Sequence, residues 1–122
     1  MKKILVVDDE NFNRDIIKKV LIKEGFSILE ATNGKESLKM LESNDIDLIL
    51  MDIMMPIMDG FKAIETIKKQ SLYKKLPIIA ITALSDTQTY QKALKLGART
   101  LITKPFKLPL LIDSVKSALK DE

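Results

Sequence analysis

Apolar and polar positions along the chain follow two alternating periods. Short apolar runs, Ile4-Leu5-Val6-Val7, Leu48-Ile49-Leu50-Met51 and Ile78-Ile79-Ala80-Ile81, are each followed by a longer stretch with helical spacing. Runs of that length, rich in β-branched residues, predict strands. The first strand covers Lys3 to Val7. Phe12, Ile16, Ile17, Val20 and Leu21 then recur on one helical face, with Lys18, Lys19, Lys23 and Glu24 on the other, and Gly25 ends that helix. Ser27 to Ala31 reads as a second strand, Asn33-Gly34 as a turn, and Leu38 and Leu41 as the buried stripe of a second helix. A third strand is predicted over Asp47 to Met51, a loop over Pro56 to Gly60, and a third helix with Phe61, Ile64 and Ile67 inward. Pro77 introduces the fourth strand. Tyr90, Ala93 and Leu94 mark a fourth helix stopping at Gly97. Thr100 to Thr103 is the fifth strand, and Leu108, Leu111, Ile112, Val115 and Leu119 mark the last helix.

Five strand–helix units with short connections predict an α/β fold, a parallel sheet with helices on both faces, because parallel crossovers are long and right-handed. The continuous apolar runs suit strands buried on both sides. At 122 residues the expectation is a single domain over 1–122. No apolar stretch approaches the ~18 residues of a membrane span. No apolar segment of signal-peptide type follows the basic start, so a cytoplasmic protein is expected.

The chain has no Cys, no His and no Trp. Disulfides, thiolate nucleophiles, cysteine-ligated metals and an imidazole base are therefore excluded. Carboxylates, lysines and hydroxyls remain. The net charge is +3, but residues 1–61 hold 8 basic against 12 acidic residues and residues 62–122 hold 12 against 5. That split fits two distinct functional ends better than a uniform polyanion-binding surface.

In open α/β sheets ligands bind beyond the carboxyl ends of the strands. There the first strand ends at Asp8-Asp9-Glu10, the third at Asp52, the fourth at Thr82-Ala83 and the fifth at Lys104-Pro105. Each has a plainer reading alone: Asp8-Asp9 as a helix N-cap, Asp52 as a loop acid, Lys104 as a solvated cation. Jointly they form a cluster of carboxylates whose repulsion a hard divalent cation, Mg²⁺, would relieve. A hydroxyl and an ammonium beside it suit a phosphoryl group, with an aspartate as possible nucleophile.

These segments together resemble the receiver domain of two-component response regulators, of the chemotaxis-regulator type. The matching stretches are Ile4 to Asp9, Asp47 to Asp52, Met55-Pro56 with Met58-Asp59-Gly60, Pro77 to Ala83, and Gly97-Ala98 with Lys104-Pro105-Phe106. The resemblance implies a flavodoxin-like strand order 2-1-3-4-5. It implies that Asp52 accepts phosphoryl from a phosphohistidine on a sensor histidine kinase or histidine phosphotransfer protein. Asp9, Asp52 and the Met54 carbonyl would bind Mg²⁺, with Asp8 acting through water. Thr82, the Ala83 N–H and Lys104 would hold the phosphate, and the Lys104–Pro105 bond would be cis. The partner supplies the histidine this chain lacks.

The resemblance also implies an output face on the fourth helix, fifth strand and fifth helix, where Lys92, Lys95, Arg99, Lys107 and Lys116 are expected to gather. It implies kinase docking on the first helix. There Asn13 and Arg14 otherwise read as solvated residues, and the pair Asn11 and Arg14 is similar to receivers of hybrid kinases. Two departures from the family pattern matter. Leu101 stands where many members carry a switching aromatic, which predicts a muted Thr82–Leu101 switch. Met54 and Leu84 flank the path of attacking water and are apolar, which predicts slow self-dephosphorylation.

The expected function is a phosphorylation-controlled interaction module, not an enzyme acting on other substrates. The alternatives are a receiver within a longer regulator or hybrid kinase, and a phosphohydrolase with an aspartate nucleophile. The latter would need an acid two residues after Asp52, where Met54 stands. Nucleic-acid binding lacks a reading helix and stacking aromatics, and no direct contact with nucleic acid or membrane is expected.

Overall fold

A computed structural model describes residues 1–120; Asp121 and Glu122, the end of the expected 1–122 domain, lie outside them. Five strands, β1 (Lys3–Val7), β2 (Ser27–Ala31), β3 (Leu48–Asp52), β4 (Ile78–Thr82) and β5 (Thr100–Thr103), alternate with five helices. The helices are α1 (Asn11–Lys23), α2 (Gly34–Ser43), α3 (Gly60–Lys68), α4 (Thr87–Leu96) and α5 (Leu108–Lys120). The sheet is parallel throughout, in the order β2-β1-β3-β4-β5. This is the flavodoxin-like arrangement expected. No helix among the described residues is long and apolar enough to cross a membrane.

Strand side chains alternate between two cores, which is why the strand sequences are apolar without interruption. Leu5, Val7, Ile49, Met51, Ile78 and Ala80 face one side with Leu41, Ile64 and Ile67; Ile4, Val6, Leu48, Leu50, Ile79 and Ile81 face the other with Ile17, Leu21, Leu111 and Val115. The register sets Val7 beside both Ala31 and Met51, and Asp52 beside Ile81. The carboxyl ends of β1, β3 and β4 therefore lie side by side.

Several helix starts differ from expectation. Asn33-Gly34 is not a free turn: Asn33 caps α2, its side chain accepting the Glu36 N–H at 2.8 Å. Glu36 reaches back to the Thr32 N–H at 3.0 Å, a reciprocal pair that satisfies two helix-start donors. A short 3-10 turn, Ser71–Tyr73, precedes β4 where no element was expected. Phe12, Ile16, Tyr90, Leu94 and Leu108 share helical spacing with the core but are exposed, Phe12 by 73%. α4 packs on the edge strand β5 and on α3 and buries Thr89 and Ala93. Periodicity marks a face; what packs against that face decides how much of it is covered.

Candidate functional site

Asp8 follows β1 and Asp52 ends β3, and both are buried. The main chain fixes Asp52 closely. Gly60 packs so tightly on it that a Cβ there would overlap the Asp52 carbonyl oxygen and sit 2.7 Å from Ile53 Cα. The Gly60 N–H donates to the Ile53 carbonyl at 2.9 Å and closes the loop. Between them Ile57 takes a left-handed φ of 71°, a conformation that costs a β-branched residue about 1–3 kcal/mol.

Lys104 follows β5 through a cis bond to Pro105, as the resemblance implied. Its Nζ lies 3.4 Å from Asp8 Oδ2 and 3.7 Å from Asp52 Oδ2. Its main-chain N–H donates to the Thr82 carbonyl at 2.7 Å, which ties the ends of β4 and β5 together. The Thr82 side chain is buried at the end of β4, and its Oγ1 accepts the Leu84 N–H at 3.2 Å. Ala83 is exposed and, with Lys104, lines a cavity of about 520 Å³ between α1 and the β5–α5 loop.

One ammonium thus serves two buried carboxylates, and the electrostatics show the deficit. Burial first, then the Asp8 charge, push the Asp52 carboxyl from its ordinary 3.8 up to about 6; Lys104 and the Met54 N–H pull it down without cancelling them. That N–H is 3.4 Å from Asp52 Oδ1, and the Met54 side chain is exposed. Asp9 and Glu10 are exposed, and their carboxylates gather with that of Asp8 within 4.8 Å. An all-oxygen set around an excess of negative charge fits a hard divalent cation such as Mg²⁺.

These contacts unite Asp8, Asp52 and Lys104, with Thr82 and Ala83 on the adjoining strand end. Leu101, half-buried on β5, packs against the core on the α2–α3–α4 side. Asp8-Asp9 does not act as the cap of α1. Glu10 holds that position without a side-chain cap bond, and Asp8 Oδ1 accepts the Glu10 N–H at 2.9 Å. Arg14 is not solvated but buried against Asp8 and Glu30. Nothing in the helical period singles it out; the hint in the sequence was its pairing with Asn11, whose Oδ1 its Nη2 reaches. Of the five cations expected on the output face, Lys92 lies 4.4 Å over the Phe61 ring and Lys116 pairs with Glu24 at 2.6 Å.

Comparison with known proteins points the same way. The family model described as the response regulator receiver domain matches residues 4–116. The chemotaxis protein CheY of Halobacterium salinarum is 38% identical over 118 residues, covering 97% of each chain. A probable transcriptional regulator, ycf27 of Cyanidium caldarium, is 40% identical over 117 residues. There 96% of this chain spans only 46% of the relative. Among solved structures, the response regulator TrrA of Thermotoga maritima, in complex with Mg²⁺ and BeF, superposes with a TM-score of 0.88. It is 37% identical, covering 98% of this chain and 100% of that one.

Proposed function

Because the chain belongs to the response regulator receiver domain family, we propose that it is a phosphoryl-acceptor signalling module with Asp52 as its acceptor. The observation that carries this is the placing of Lys104 within 4 Å of both Asp8 and Asp52 beside an Asp52 carboxyl raised to about 6. A pKa of about 6 leaves Asp52 mostly ionised at neutral pH, and hence nucleophilic. One Asp52 oxygen attacks phosphorus; the phosphorus–nitrogen bond of the donor phosphohistidine breaks, and the imidazole leaves with the electron pair. Lys104 moves its charge to a phosphate oxygen, while the Thr82 hydroxyl and the Ala83 N–H donate to the others.

Asp9, Asp52 and the Met54 carbonyl would hold Mg²⁺, with Asp8 acting through a water. When bound, the ion supplies charge neutralisation for an otherwise repelled phosphoryl group. The TrrA complex with Mg²⁺ and BeF supports this assignment by similarity. The donor is a sensor histidine kinase or a histidine phosphotransfer protein. Phe12 and Ile16 on α1 and the adjoining cavity offer it an apolar docking face near Asp52. Phosphorylation would draw Thr82 towards the phosphate and bias the α4–β5–α5 face towards a downstream protein, a shift between two existing states. The module works in the cytoplasm, alone or as the receiver of a longer regulator.

Incubation with acetyl phosphate and Mg²⁺, wild type against Asp52→Asn, tests the acceptor. Incorporation in the wild type alone is expected; equal incorporation in both would overturn the assignment.

A further inference from the structure

Arg14 is the one fully buried cation among the described residues, and the proposed chemistry leaves it unused. It is 7% exposed, so it has no surface to offer a partner. Its guanidinium reaches three elements at once. Nη1 donates to the main-chain carbonyl of Asp8 at 2.5 Å, Nε to Glu30 Oε1 at 3.1 Å, and Nη2 to Asn11 Oδ1. Glu30 is anchored on β2, paired in register with Val6, and its other oxygen accepts from Lys18 at 3.3 Å. Burial acts to raise the Glu30 carboxyl, but Lys18 and Arg14 outweigh it and hold it below the usual range. The clamp is therefore ionic on both sides.

The Asp8 carbonyl is a special acceptor. β2 ends at Ala31, whose carbonyl takes the Asp8 N–H at 3.1 Å. The Asp8 carbonyl lies past the last β1–β2 residue pair, Val7 with Ala31. Its orientation sets the plane of the Asp8–Asp9 peptide, and with it the directions of both carboxylates. The guanidinium's planar fork holds its donors in fixed directions on three nitrogens, whereas a lysine's three donors all radiate from one atom on a flexible stem.

We propose that Arg14 is a positioning residue, fixing the Asp8–Asp9 peptide so that both carboxylates converge on one divalent cation. This rests on the metal-assisted receiver reading above. Groups that orient ligands from behind typically change metal affinity about 10–100-fold when removed. Arg14 touches neither phosphate nor metal, so its effect belongs in metal affinity rather than in the rate once metal is bound.

The test is calorimetric Mg²⁺ titration of the whole chain as wild type, Arg14→Met, Arg14→Lys and Lys18→Met. The dissociation constant should rise about tenfold or more in Arg14→Met, with partial recovery in Arg14→Lys. Lys18→Met, which loses its Glu30 contact but leaves the Asp8 carbonyl clamped, should match the wild type. With acetyl phosphate, the half-saturating Mg²⁺ should rise in the Arg14 variants, while labelling at saturating Mg²⁺ stays within about twofold of wild type. A lowered melting temperature with unchanged Mg²⁺ affinity would make Arg14 a fold tie only and overturn the proposal. Should Arg14→Met not fold, Arg14→Lys decides alone: weaker binding supports the clamp and wild-type affinity refutes it. Equal labelling of Asp52→Asn and wild type would instead overturn the receiver reading, leaving the Mg²⁺ comparison intact.

Discussion

The two edges of the sheet handle buried charge in opposite ways. At the amino-terminal edge, Lys68 leaves α3 and its ammonium donates to the carbonyls of Tyr73, Lys74 and Leu76, at 3.1, 3.1 and 2.5 Å. Its stem lies against Gly97, whose φ of 118° ends α4. Burial lowers the Lys68 pKa, yet all three donors of the ammonium are used. At the carboxyl-terminal edge, Asp8 and Asp52 share one ammonium at distances beyond good hydrogen bonds. One edge is closed by its own main chain. The other is left with negative charge in excess, as the proposed binding of a cation and then a phosphoryl group would require.

The sharpest way to break this comparison is to empty the closed edge. Lys68→Met keeps the stem but orphans three carbonyls, and should cost about 1–3 kcal/mol in denaturant unfolding. Labelling by acetyl phosphate should stay at the wild-type level. A stable Lys68→Met would mean that the amino-terminal edge is no better satisfied than the other.

The second prediction concerns pH at the open edge. Asp52 holds its proton to about 6 in the fold against 3.8 as its ordinary value. The folded state therefore binds more protons than the unfolded one between those values, and stability falls as pH rises through about 4 to 6. The full difference corresponds to about 3 kcal/mol; solvent screening at the pocket mouth reduces it to about 1–2 kcal/mol. Urea unfolding of wild type minus Asp52→Asn across that range should show the slope, and a flat difference would remove the strain assigned to this edge.

Smaller effects concern the switch and the lifetime. Leu101 brings no ring or hydroxyl, so it should shift little between apo and beryllofluoride-bound structures; a large inward swing would contradict this. Met54 and Leu84 cannot orient water by hydrogen bonds. The acyl phosphate should therefore persist for minutes or longer at neutral pH, against a few seconds if some other group guides the water.

Much of this was legible in the chain. The apolar runs marked β1, β3 and β4 because strands buried on both faces are apolar up to their carboxyl ends, where Asp52 and Thr82 stand. The strand ends gave Asp8, Asp52, Thr82 and Lys104 because the topology brings those ends together. What the pattern hid were contacts made by groups whose partners are main-chain atoms. Lys68 and Arg14 look like solvated helix residues, and only the folded chain reveals the carbonyls they reach. Phe12 and Ile16 fit the core period of α1 yet are exposed. Asn33-Gly34 read as a turn because a helix cap and a turn share the same residues.

The central claim is that the pocket keeps Asp52 underpaired until a cation arrives. The direct measurement is unfolding free energy at neutral pH for wild type and Asp52→Asn, each without and with saturating Mg²⁺. Asp52→Asn should be the more stable by about 1–2 kcal/mol without the ion, and the gap should close or invert with it. An Asp52→Asn protein less stable than wild type without Mg²⁺, or a gap that Mg²⁺ leaves unchanged, would contradict the account.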